Sequence, residues 1–141
     1  MTDQAENSQR TVVCIEDEPA MIDLVKLILK NRGFEVQGAL GGKEGLELIR
    51  DAQPDLVLLD LMMPDMNGWD VYQQMKADEA MQDIPVIVVT AKAQNIDKVL
   101  GLHIAKVQDY ITKPFSPADL LKSIKRVLGE DAVEEPAADS E

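Results

Sequence analysis

The sequence predicts an α/β fold, a doubly wound five-stranded parallel sheet with five helices, on three observations. Short apolar runs recur at 12–15, 56–59 and 86–89, with shorter apolar stretches at 34–39 and 110–111. Runs of four to six apolar residues read as strands buried on both faces, which is the signature of parallel rather than antiparallel sheets. Amphipathic stretches of helical period separate these runs, and strands alternating with helices imply right-handed crossovers onto one sheet.

Taken in order, residues 1–10 are polar and read as a disordered lead-in, and residues 11–16 form the first strand. Pro19 suits the first turn of a helix, where its missing N–H would be unpaired anyway. Met21, Ile22, Leu24, Val25, Ile28 and Leu29 continue that helix at periodic spacing towards Gly33, expected as its C-cap. Residues 34–39 form a weaker second strand, Gly41-Gly42 opens a helix through Ile49, and residues 55–60 form strand three after Pro54. A loop over 61–68 precedes a helix from Trp69 to Met81. Strand four covers 85–90, a fourth helix about 94–105 and strand five 108–112. Ser116 is the expected N-cap of the fifth helix, with Pro117 at its first position, Asp119 in its first turn and Gly129 at its end. The domain boundaries are therefore 11–129, followed by an acidic disordered tail over 130–141.

At 141 residues the chain suits one domain, and 4% aromatic content leaves the core to aliphatic side chains. A net charge of −12 argues against general binding of nucleic acid or anionic membranes. The charge is uneven: residues 1–91 carry −10, residues 92–126 carry +4 and residues 127–141 carry −6. That basic segment is either a contact surface or a set of solvated lysines. Cys14 sits within the first apolar run and reads as strand filler. No stretch approaches a membrane span or a signal core, so a cytoplasmic setting is expected.

The chemistry gathers where the strands end. The first run leads into Glu16-Asp17, the third strand into Asp60, the fourth into Thr90 and the fifth into Lys113. Ligands bind at the carboxyl ends of strands in open parallel sheets, so three carboxylates, a hydroxyl and an ammonium would share one edge. Acids so crowded repel one another unless a cation joins them, and Mg2+ suits a site of few protein oxygens. With repulsion screened, one carboxylate can attack a phosphoryl group, and Asp60 is the best nucleophile because it ends the most apolar run. Lys113 would neutralise the incoming phosphate and Thr90 would hydrogen-bond one of its oxygens. Singly, each residue is better explained as a loop or surface group; together they are not.

The segments Ile15-Glu16-Asp17-Glu18-Pro19, Leu58-Leu59-Asp60-Leu61-Met62-Met63-Pro64-Asp65-Met66-Asn67-Gly68, Val88-Val89-Thr90-Ala91 and Asp109-Tyr110-Ile111-Thr112-Lys113-Pro114-Phe115 resemble the receiver domain of two-component response regulators. The resemblance covers about residues 11–129. It implies the chemotaxis-type, flavodoxin-like strand order 2-1-3-4-5. It makes Asp60 the phosphoacceptor, with Thr90 and Lys113 on the phosphoryl group. Glu16, Asp17, Asp60 and the carbonyl of Met62 would serve Mg2+, Glu16 through water. Thr90 and Tyr110 would be the switch pair, and Lys113-Pro114 a cis peptide, a geometry confined almost wholly to X-Pro bonds. Gly68 is expected to adopt unusual dihedrals near the site.

Two features depart from the family pattern. Glu16 replaces the first Asp of the common acidic pair, which lengthens the arm. Ala105-Lys106-Val107-Gln108 stands where Gly-Ala-Asp is usual and is one residue longer.

The expectation is a stand-alone receiver, not an enzyme, that takes a phosphoryl group from a histidine kinase or phosphotransfer protein. It would then present helix 4, strand 5 and helix 5 to a downstream protein target or to a second copy of itself, without touching nucleic acid or membrane. Two other readings remain: a non-phosphorylated scaffold, or a small aspartyl-phosphate phosphohydrolase. The second would need an acid or base two residues beyond the nucleophile, where Met62 stands. His103 and Trp69 read as surface and packing residues.

Overall fold

In the computed structural model, which describes residues 9–91 and 107–134, β1 (Arg10–Ile15), β2 (Phe34–Ala39), β3 (Leu56–Asp60), β4 (Val86–Thr90) and β5 (Asp109–Thr112) form one sheet. All neighbours pair in parallel, in the order β2-β1-β3-β4-β5. The described α-helices are α1 (Pro19–Leu29), α2 (Gly42–Ala52), α3 (Gly68–Lys76) and α4 (Pro117–Leu128). The helix expected over 94–105, with His103 and the first half of the unusual 105–108 segment, lies outside the described residues.

Period-two alternation along the strands splits the core into two layers. Val13, Ile15, Val57, Leu59, Val86 and Val88 pack with Leu46 and Ile49 of α2 and with Val71 and Met75 of α3. Val12, Cys14, Leu56, Leu58, Ile87 and Val89 pack with Ile22, Val25 and Ile28 of α1 and with Leu120 and Ile124 of α4. All five residues of β3 are buried, and each buried leucine there contributes about 1.5–3 kcal/mol. Asp60 ends this least hydrated strand, so the backbone beneath it is held on both faces.

Several boundaries differ from expectation for local reasons. Arg10, expected in the lead-in, already pairs with Phe34 as part of β1, and residues 1–8 lie outside the described residues. Helix α1 stops at Leu29 with Lys30 as C-cap, before Gly33, and the chain turns through Asn31 at φ 64°. Helix α3 ends at Lys76 rather than Met81. Asp78 Oδ1 accepts the N–H of Ala80, a local turn that competes with the helix ladder, while Met81 still reaches the core. At α4 the expected Ser116 cap is present as a full capping box: Ser116 Oγ accepts the Asp119 N–H and Asp119 Oδ2 accepts the Ser116 N–H, 3.0 Å each. The Ser116 N–H, and then the Ser116 side chain, hold the Asp119 carboxyl below its ordinary pKa.

Residues 130–134, expected within the acidic disordered tail, are folded, and residues 135–141 lie outside the described residues. Residues Glu130–Ala132 form a 3-10 turn, Ala132 and Val133 are buried against the α1 and α4 layer, and the Glu134 N–H donates to Arg32 O at 2.9 Å. Two small apolar side chains among acids are enough to fold this segment back.

Candidate functional site

Glu16 and Asp17 follow β1, Asp60 ends β3, Thr90 ends β4, and Lys113 follows β5. The sheet thus delivers all five to its carboxyl edge, on both sides of the crossover between β1 and β3. One carboxylate oxygen from each of Glu16, Asp17 and Asp60 lies within 4.8 Å of the others. Lys113 Nζ donates to Glu16 Oε1 at 2.6 Å and lies 3.6 Å from Asp60 Oδ2. The Lys113-Pro114 peptide is cis, as expected. The Lys113 N–H donates to Thr90 O at 2.8 Å, tying the ammonium's backbone to the end of β4.

Asp60 is 3% exposed and Glu16 is 2% exposed. Burial is the main reason both carboxyls hold protons more tightly than in water. Repulsion adds to it, from Asp60 on Glu16 and from Asp17 on Asp60. For Lys113, burial works against the charge, but the Glu16 hydrogen bond and the fields of Asp60 and Glu16 outweigh it, so its pKa rises. Cys14, beneath the site, has its thiol pushed up to about 12, first by burial and then by the Glu16 charge.

Backbone donors complete the frame. The Met62 N–H reaches Asp60 Oδ1 at 3.1 Å, and the Glu18 N–H reaches Glu16 Oε2 at 3.2 Å. Both Glu16 oxygens therefore have partners at rest, while Asp17 is more open to solvent than either buried acid. The donor set fits Mg2+: three converging carboxylates, with an excess of negative charge that a divalent cation would balance. Thr90 is fully buried, and its Oγ1 has no partner among the described residues. Tyr110 is 39% exposed.

Gly68 serves differently from expectation. Its φ is not positive; a Cβ there would collide with the Asp60 carbonyl oxygen and come 2.6 Å from Leu61 Cα. The requirement is close approach of two backbones, and the Gly68 N–H closes the loop by donating to Leu61 O at 3.0 Å. Gln108, part of the unusual segment, accepts the Val86 N–H on Oε1 at 2.8 Å and donates its own N–H to Val86 O at 3.0 Å. It therefore pins β5 to the start of β4.

A parallel sheet of this order with these acids at its carboxyl edge defines a class of phosphoacceptor domain, and comparison with known proteins agrees. The family model for the response regulator receiver domain matches residues 12–125, and the chain belongs to that family. It is 40% identical over 117 residues to the DNA-binding dual master transcriptional regulator RpaA of Synechocystis, covering 83% of this chain and 48% of that protein. It is 35% identical over 129 residues to the DNA-binding response regulator MtrA of Mycolicibacterium smegmatis, covering 92% of this chain and 54% of that protein. The chain thus spans about half the length of these curated relatives. Among solved structures, a CheY-like response regulator receiver domain protein from Methanospirillum hungatei superposes with a TM-score of 0.77 at 33% identity, over 88% of this chain and 97% of that one.

Proposed function

We propose that this receiver accepts a phosphoryl group on Asp60 from a histidine kinase or phosphotransfer protein in a Mg2+-dependent reaction, and so switches a protein-interaction surface. The observation that carries the reading is the convergence of Glu16, Asp17 and Asp60 within 4.8 Å, with Lys113 Nζ across the same space. A bound Mg2+, taking oxygens from Asp17, Asp60 and the Met62 carbonyl with Glu16 nearby, would screen this charge and draw electron density from the phosphoryl oxygens. An Asp60 carboxylate oxygen attacks phosphorus, the bond from phosphorus to the donor breaks, and an aspartyl phosphate remains. Lys113 turns from Glu16 to the new charge. Thr90 Oγ1, without a partner at rest among the described residues, gains a phosphoryl oxygen as acceptor.

As Thr90 moves, the exposed Tyr110 ring turns into the space it leaves, altering the surface of β5, α4 and the segment preceding them. Moving such a surface from about 1:99 to 99:1 takes about 5.5 kcal/mol of differential stabilisation. The product is a signal state, not a released compound, so the domain acts as a switch and not as an enzyme. Its target is a protein or a second copy of the same surface, in a cytoplasmic setting. A second reading has a specific observation behind it: RpaA and MtrA bear DNA-binding names and are about twice as long. Under that reading the same switch governs a DNA-binding unit, while the acidic receiver itself stays off the nucleic acid.

The test is intact mass after incubation with acetyl phosphate, with Mg2+ or EDTA, on wild type and Asp60→Asn, repeated with a phosphorylated histidine kinase. A single phosphoryl gain that needs both Mg2+ and Asp60 is expected. Equal gain by Asp60→Asn would overturn the assignment of the acceptor, and no gain from either donor would favour the scaffold.

A further inference from the structure

We propose that Asp65 is a positioning residue for the metal site, acting as a clamp between the loop that carries Met62 and the start of α2. This rests on the functional reading above. The N-cap of α2 is Gly41, which has no side chain to satisfy the first helical N–H groups. Asp65 supplies the missing acceptor from 23 residues away. Its Oδ1 and Oδ2 lie 3.2 and 3.1 Å from the Gly42 nitrogen, and Oδ2 lies 3.4 Å from that of Lys43. A carboxylate suits this position twice over, as a cap and as a negative charge at the positive end of the helix.

The two glycines make the contact feasible. A Cβ at Gly41 would come within 2.8 Å of Asp65 Oδ2, and one at Gly42 within 2.8 Å of Met66 Cβ. The tip of the loop is therefore seated on bare backbone. At its other end the loop is closed by the Gly68 N–H on Leu61 O, 3.0 Å. Between these two fixings lies Met62, whose N–H holds Asp60 Oδ1 at 3.1 Å and whose carbonyl is the proposed metal donor. Met62 itself is 53% exposed, so its side chain does little to anchor the loop. The Asp65 clamp does that instead, three residues along and across Pro64.

The test is Mg2+ titration by isothermal calorimetry of folded wild type, Asp60→Asn, Asp65→Ala, Asp65→Asn and Gly41→Ala. Asp65→Ala is expected to weaken Mg2+ by about tenfold, the lower end of what outer-shell supports contribute. Asp65→Asn, which keeps an acceptor but not the charge, should fall between it and wild type. Gly41→Ala, which forces the carboxylate away from the helix, should resemble Asp65→Ala and stands in for it if that variant does not fold. A purely structural role would lower the melting temperature while leaving the Mg2+ affinity of the folded fraction unchanged, and that result would overturn the clamp. If wild type bound Mg2+ no better than Asp60→Asn, the functional reading would fall and the clamp with it; equal binding by wild type, Asp65→Ala and Gly41→Ala would remove the clamp alone.

Discussion

The two ends of the parallel sheet are built from similar residue types and put them to opposite use. At the amino end, polar side chains pair with backbone. Asp55 Oδ2 accepts the Thr11 N–H at 2.8 Å, Gln108 Oε1 accepts the Val86 N–H at 2.8 Å, and the segment bearing Val133 closes over the corner between α1 and β2. At the carboxyl end, Glu16, Asp60 and Lys113 crowd together, the acids hold their protons more tightly than in water, and Thr90 keeps an unmatched hydroxyl among the described residues. One end satisfies its groups and the other keeps them in tension. The difference shows how a fold separates stability from chemistry: the interior of β3 joins the two ends, so charge at one is supported by burial and pairing at the other.

Substitutions can break or sharpen this contrast. The largest loss of stability is expected from Val133→Asp, which places a charge where the side chain is 5% exposed. It should cost about 2–3 kcal/mol in chemical denaturation while the folded fraction still accepts phosphate at the far end. Asp60→Asn should do the reverse, abolishing phosphoryl gain yet stabilising the domain at pH 7 by about 1 kcal/mol, or about 4 °C in Tm by differential scanning fluorimetry.

The pH dependence of that gain has a definite sign. Because the folded carboxyls hold protons above their ordinary values of 4.5 and 3.8, stability falls as pH rises from those values through the raised ones. Asp60→Asn should flatten that fall above about pH 4. The contribution of Lys113 has the same sign at the alkaline end of the scale, intact at neutral pH and lost only above its ordinary 10.5.

Gln108→Ala leaves the Val86 N–H without its acceptor and should lower stability by about 1 kcal/mol, with faster hydrogen exchange at that amide. The smallest effect belongs to Arg50→Ala. Its partner Asp78 lies 3.4 Å away with side chains 53% and 33% exposed, so a change beyond about 0.5 kcal/mol would contradict the screening expected at this surface.

Much of this was legible in the residues, and the rest was hidden for identifiable reasons. Apolar runs at 56–59 and 86–89 announced β3 and β4 because buried parallel strands tolerate few polar residues. Asp60, Thr90 and Lys113 were legible because each terminates such a run. The 130–134 segment was not: its acids dominate the composition, whereas Ala132 and Val133 enter the core and the Glu134 N–H bonds to Arg32 O. Asp65 was also silent, since its role depends on a contact with Gly42 that no local period encodes. A helix opening on Gly41-Gly42, with no capping side chain, was the faint sign that a distant acceptor was needed. Gly68 was legible as special but for the wrong reason, because close backbone approach and unusual φ both select glycine.

Cys14 lies directly under the acids, and its thiol pKa near 12 reaches beyond packing. At neutral pH such a thiol stays almost wholly protonated, and the thiolate is the form that attacks peroxides and disulfides. Burial first, and the Glu16 charge second, therefore keep this sulfur inert. Peroxide should therefore leave Cys14 unmodified in the folded domain, so that oxidation at this thiol does not disturb the acidic edge above it.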